Sequence, residues 1–158
     1  MKKWSWLFTF LLAGILLVGC STQKNNMNTE GTNQAKDAST KPVTALKLME
    51  NEKTGKYLAD EEGRTLYYFA KDKINKTNCK GECLENWPPY YSKNFEVPKG
   101  FNKKDFGTII RDDTGEKQTT YKGYPLYYFK KDKTSGEVNG QGVKGVWFIV
   151  NSETKFTP

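Results

Sequence analysis

The chain has 158 residues, 25 Lys+Arg against 18 Asp+Glu, three cysteines and no histidine. Without an imidazole there is no Ser-His-Asp triad, Cys-His pair, HExxH zinc site or His-ligated haem. Aromatic residues at 14% are too many for a wholly disordered chain, and the length allows one ordinary domain or two very small ones.

Lys2 and Lys3 open a short apolar run from Leu7 to Val18. Such a run suits a signal peptide and is too short for a membrane span of roughly 20 residues. It ends in Leu17-Val18-Gly19-Cys20, which resembles the lipobox of bacterial lipoproteins. That resemblance implies cleavage after residue 19, a diacylglycerol on the Cys20 thiol, and a chain held on the outer face of the cytoplasmic membrane. Two or more acyl chains give stable anchoring where one is marginal. Losing Lys2 and Lys3 leaves 23 cations against 18 anions, and lipidation of Cys20 leaves an even pair of cysteines.

Residues 20–42 then read as a tether. The stretch is rich in Asn, Thr, Ser, Gln and Lys, with almost no large apolar side chain to bury. It cannot offset its ordering entropy and is expected to remain a flexible coil with a reach of roughly 25 Å.

Residues 43–158 contain a repeat at an offset of sixty, with copies over about 43–102 and 103–158. Leu66-Tyr67-Tyr68-Phe69 returns as Leu126-Tyr127-Tyr128-Phe129, Lys71-Asp72 as Lys131-Asp132, and Trp87 as Trp147. Duplicated units of this kind bury their apolar faces together, and each copy by itself is short for independent stability. The expectation is a mainly β fold in which two tandem β-rich repeats pack as one pseudo-symmetric domain. Runs rich in Tyr, Phe, Ile, Val and Thr predict strands at 45–49, 56–59, 65–69, 107–111, 118–121, 126–129 and 146–150. The Asp60–Gly63 and Asp112–Gly115 stretches read as solvated hairpin turns, and a short helix is predicted near Cys83–Trp87.

Period-two alternation places Leu66 and Tyr68 on one face of a strand and Tyr67 and Phe69 on the other. Both faces are apolar, so the strand is expected to be central and covered on both sides. Asp72 and Asp132 fall just past it, where a carboxylate accepts hydrogen bonds from turn N–H groups. The motif reads first as a fold signature. The functional alternative has exposed tyrosines and the two aspartates lining a groove shared by the copies.

Tyr67-x-Phe69-x-x-Asp72 and Tyr127-x-Phe129-x-x-Asp132 resemble the Tyr-x-(Phe/Trp/Tyr)-x-x-Asp signature of the secreted-repeat predicted lipoproteins. The segment from Cys79 through Cys83 to Trp87-Pro88-Pro89 is similar to the element that follows that family's first repeat, and Val138–Gly142 with Gly145–Phe148 to its closing segment. The resemblance implies an extracytoplasmic β-rich repeat protein and carries no assigned reaction.

Outside the membrane, Cys79 and Cys83 are expected to form a disulfide that contributes about 2 kcal/mol and pins the loop entering Trp87. Redox-active thiols are the alternative, although the CxxxC spacing is not that of thioredoxin-like proteins. Two sulfurs alone lack the further ligands of a metal site, and no cofactor is expected. Residues 43–158 carry 20 cations against 16 anions, with lysines clustered after each Leu-Tyr-Tyr-Phe strand: Lys71, Lys73, Lys76 and Lys80, then Lys130, Lys131 and Lys133. They suit an anionic cell-wall polymer, an envelope protein or lipid headgroups, and nucleic acid is not an expected partner of an anchored exterior protein. The reading is a non-enzymatic lipoprotein that binds or organises an envelope component. Its alternatives are a redox accessory using Cys79 and Cys83 or an aromatic-bound cofactor, and a cell-wall hydrolase with only scattered carboxylates behind it.

Overall fold

The computed structural model describes residues 44–156. The expected signal peptide, Cys20 and the tether lie outside the described residues. Nine strands carry the fold: β1 (Thr44–Ala45), β2 (Lys47–Asn51), β3 (Gly55–Ala59), β4 (Tyr67–Phe69), β5 (Phe95–Glu96), β6 (Phe106–Ile110), β7 (Lys117–Tyr121), β8 (Tyr124–Tyr127) and β9 (Trp147–Ile149). One short helix, α1 (Glu82–Asn86), lies where the sequence predicts it, and a 3-10 turn covers Val143–Gly145. The fold is mainly β.

The main sheet runs β6-β7-β8-β4-β9, while β2 pairs with β3 in a separate hairpin and β1 with β5. At the centre β4 and β8 run antiparallel with Tyr67 directly opposite Tyr127. Those two residues are equivalent in the repeat, so a local pseudo-twofold axis passes between them. The axis can be checked bond by bond. Tyr90 N–H donates to the Leu126 carbonyl at 2.9 Å, and Val150 N–H to the Leu66 carbonyl at 3.2 Å. Ala70 N–H donates to the Val146 carbonyl at 2.8 Å, and Lys130 N–H to the Asn86 carbonyl at 2.9 Å.

These bonds show that the copies exchange strands. β4 of the first copy pairs with β9 of the second, and β8 of the second meets segment 86–90 of the first, with a bridge between Pro89 and Tyr127. A strand with apolar side chains on both faces needs cover above and below, and it has it. Leu66, Tyr68, Leu126 and Tyr128 pack in one core. Tyr67, Phe69, Tyr127 and Phe129 pack in the other, with Trp87 and Trp147.

Two sequence readings are corrected. The offset is not sixty throughout, because β2–β3 pairs Asn51 with Gly55 while Arg111 N–H bonds to the Glu116 carbonyl across a turn one residue longer. Compensating changes later restore it. The 60–63 turn is also not simply solvated: Asp60 is fully buried. It accepts from Arg64 Nε at 2.7 Å and from the Tyr128 hydroxyl at 2.8 Å, because a partner 68 residues away reaches over the turn.

Close packing on the axis gives a stability prediction. A Cβ at Gly140 would lie 2.8 Å from the Tyr67 ring and 2.9 Å from Trp87, whereas one at Gly142 would meet nothing within 4 Å. Gly140→Ala is expected to destabilise by about 1–3 kcal/mol through overpacking. Gly142→Ala is expected to cost about 1 kcal/mol, from its φ of +75° alone. Urea unfolding of the two variants checks the order.

Candidate functional site

Buried tyrosine hydroxyls need partners, and here each copy supplies the other's. Tyr67 Oη donates to Asp132 Oδ2 at 2.6 Å, and Tyr127 Oη donates to Asp72 Oδ2 at 2.7 Å. The remaining oxygen of each carboxylate accepts a backbone N–H, from Asn78 at 2.6 Å and from Asn139 at 3.0 Å. The repeated motif is therefore paired in trans. Its aspartates hold the incoming Tyr and a loop N–H at the same time.

The exposed-tyrosine alternative is not what the structure shows. Tyr67 and Tyr127 are fully buried and Asp72 is nearly so. Burial pushes the Asp72 carboxyl up to about 6, against the lowering influence of Asn78 N–H, the Tyr127 hydroxyl and Arg111. Burial likewise raises Asp132, and it raises both tyrosines.

Asn78 and Asn139 play the same part in the two halves, so the counterpart of Cys79 is Gly140 and not Asn139. Cys79 and Cys83 are joined in a disulfide across the start of α1. The first sulfur residue is fully buried and the second half-buried. A residue that sequence reasoning missed clamps this loop from the other copy. Arg111, whose side chain is fully buried, donates from Nη2 to the Cys79 carbonyl at 2.6 Å and from Nη1 to Gln118 Oε1 at 2.6 Å. Asp113 holds the guanidinium in a two-point pair at 3.0 and 2.7 Å.

Above the trans-paired motif lies a groove of about 580 Å³ on the pseudo-twofold axis. Its floor is a continuous stack of four rings in the order Phe69, Trp147, Trp87, Phe129. Centroids are 4.4, 3.7 and 4.2 Å apart and interplanar angles 17°, 3° and 23°. Tyr67 and Tyr127 stand perpendicular to Trp87 and Trp147, with ring centroids 5.5 and 5.1 Å apart. Each stacked contact is worth about 0.5–1.5 kcal/mol beyond area burial. Both faces of each tryptophan are occupied by another ring, so only edges are left to meet a ligand.

The groove walls repeat in part across the axis: Lys71 is matched by Lys131 and Asn86 by Val146. Two residues break the match, Glu82 on one side and Lys144 on the other. All three lysines are exposed, and among the described residues none of them is in an ion pair. Lys71 and Lys131 were nominated by the lysine clusters, but Lys73, Lys76, Lys80, Lys130 and Lys133 do not line the groove. Lys144, Glu82 and Asn86 were missed. The repeat offers a signal only for symmetric residues, and Lys144 and Glu82 are not symmetric. Among the described residues no group of three or more Cys, Asp or Glu converges as a metal site, and no helix is long and apolar enough to cross a membrane.

Two copies that exchange strands around a shared aromatic stack define a tandem β-repeat module with a single groove at its axis. The chain belongs to the family described as a secreted repeat of unknown function, whose pattern matches residues 49–90 and 107–151, more than half of the chain. Both matched stretches fall on the two copies. No curated protein and no solved structure matches the chain. The family is one of secreted repeats, which is consistent with an extracytoplasmic location.

The raised Asp72 carboxyl sets a pH dependence. Its proton is held more tightly in the folded than in the unfolded chain, so its contribution is full below the ordinary carboxylate pKa. That contribution is lost as pH rises through about 6. Unfolding free energy is expected to fall on going from pH 4.5 to 7, by on the order of 2 kcal/mol from this group. Asp72→Asn keeps an acceptor for one of the two donors and is expected to flatten that slope. Denaturant titrations at several pH values, wild type against variant, measure it.

Proposed function

We propose that this chain is a lipid-anchored extracytoplasmic binding module whose axial groove takes an anionic component of the cell envelope, without catalysing a reaction. The observation that carries the reading is the combination of an edge-on aromatic floor with Lys71, Lys131 and Lys144 at its rim. Aromatic edges carry the positive end of the ring quadrupole, and lysines add full charges. A neutral sugar packs on ring faces, and the tryptophan faces are spent on one another. Phosphate- or carboxylate-bearing polymer suits this chemistry better. Glu82 is the single acid in the lining.

The four tryptophans of the sequence are Trp4, Trp6, Trp87 and Trp147, so cleavage before Cys20 leaves only the two in the groove floor. Indole fluorescence of the mature chain thus reports on the groove. Titration with poly(glycerol phosphate) is expected to change it saturably, and 0.5 M salt to weaken the effect strongly, about as expected for phosphate contacts. Lys71→Ala with Lys131→Ala is expected to weaken binding at least about tenfold. Equal binding of a neutral dextran, or indifference to salt, would overturn the reading.

Anchoring has its own test. Cys20→Ser is expected to leave the leader uncleaved and to remove the acyl mass from the N-terminus, as read by intact-protein mass spectrometry. A normally processed, acyl-free wild type would refute it.

A second, redox reading rests on one observation: Cys83 lines the same groove. It predicts that the disulfide cycles with a thiol donor while the fold persists. The full burial of Cys79 favours the structural role instead, since a thiol donor reaches only the half-buried Cys83, although the Arg111 clamp on the Cys79 carbonyl would keep the loop pinned after reduction.

A further inference from the structure

The pseudo-twofold axis relates the turn after β2 to the turn after β6, so Asn51 and Arg111 occupy equivalent places in the two halves. Around Arg111 little room is left. The guanidinium fills the site with bonds to the Cys79 carbonyl, Gln118 and Asp113, and the remaining cavity is about 160 Å³. Around Asn51 the corresponding pocket is about 570 Å³. The Asn51 carboxamide stays local, accepting the Lys53 N–H at 3.0 Å.

The lining of the larger pocket includes Asn51, Glu52, Thr54, Glu137, Asn139 and Gln141, with Lys53 as its one cation. The counterpart of Cys79, whose carbonyl receives Arg111, is Gly140, which stands between the wall residues Asn139 and Gln141. Two buried hydroxyls here have no hydrogen-bond partner. One is Thr54 Oγ1, on the pocket wall. The other belongs to Tyr57, a fully buried residue whose Oη lies 4.0 Å from the Cβ position of the wall residue Gly136. Tyr57 occupies the place of Gln118, the side chain that accepts from Arg111 in the other half.

We propose that this pocket binds a guanidinium group carried by a ligand, which takes the place that Arg111 takes in the other half. A guanidinium presents a planar fork of donors, and the pocket offers carboxamides, hydroxyls and the carboxylates of Glu52 and Glu137. Glu137 Oε2 accepts the Lys133 N–H at 2.5 Å and the Thr134 N–H at 3.3 Å, which leaves Oε1 free of protein partners among the described residues. The site shares no lining residue with the axial groove, so it stands or falls separately from the function proposed above.

The test is isothermal titration of the full-length protein in detergent with L-argininamide, with glycinamide and L-lysinamide as controls. Argininamide is expected to bind saturably, glycinamide not at all, and lysinamide at least fivefold more weakly. Glu52→Gln, at a side chain that makes no ion pair among the described residues, is expected to weaken argininamide binding three- to tenfold. Asn51→Arg, which supplies the guanidinium from the chain itself, is expected to abolish binding and to leave thermal stability equal or higher. Absence of saturable argininamide binding, equal binding of glycinamide, or full affinity in a folded Asn51→Arg protein would each overturn the proposal. Should Asn51→Arg fail to fold, an unchanged affinity in Glu52→Gln would do so.

Discussion

Tyr67 opposite Tyr127 is the contact on which the rest of the molecule depends. An antiparallel pair of identical strands places the same side chains on the same faces of both, so whatever one copy needs the other needs too. Each tyrosine is buried on the axis face, and its hydroxyl requires an acceptor there. The nearest carboxylate lies past the end of the opposite strand, not its own. Asp132 and Asp72 meet that need reciprocally, and their second oxygens tie down the loops that bring the 3-10 turn and the disulfide to the axis. One copy alone would leave a buried tyrosine hydroxyl without its carboxylate and one oxygen of a buried carboxyl unpaired. The module is consequently indivisible, and its two halves are held by polar bonds that cannot be satisfied separately.

Much of this architecture was legible in the amino-acid sequence because it follows from local rules. Two apolar faces on Leu-Tyr-Tyr-Phe require a central strand, the β-rich runs fall close to the observed strands, and the Cys79–Cys83 spacing fits a local bridge. The exchange was not legible, since a repeat gives the period and not the copy to which each partner belongs. The same gap hid the role of the Tyr and Asp positions. They sit five residues apart in the chain and act on each other only across the axis. Single-residue slips escaped notice because they cancel before the next recognisable motif.

Asp60 shows a different limit. A run of three acids and a glycine has the composition of a solvated turn, and two of the three acids are exposed as that composition implies. The third is buried only because Arg64 and Tyr128 converge on it, and Tyr128 arrives through tertiary packing. Arg111 is the same kind of case. A basic residue after an edge strand looks like surface until its guanidinium is found under the disulfide loop, making four bonds to a carbonyl, a carboxamide and a carboxylate. Long polar side chains carry no periodic signal, so their burial is decided by partners that local pattern does not contain.

The division of labour between symmetric and asymmetric residues follows from duplication. Residues that pair with their own image are fixed by the fold: Tyr67 and Tyr127, Asp72 and Asp132, and the four stacked rings. The stack holds segment 86–90 and β9 together across the axis, and in doing so it uses up the tryptophan faces that a ligand would otherwise contact. Recognition is thereby displaced to ring edges and to the rim. There the copies are free to differ, and they do, as Glu82 on one side of the groove and Lys144 on the other; away from the groove, the turns after β6 and β2 differ as Arg111 and Asn51. In a duplicated domain whose core must be symmetric to close, departures from symmetry are where chemistry can be added without cost to the fold.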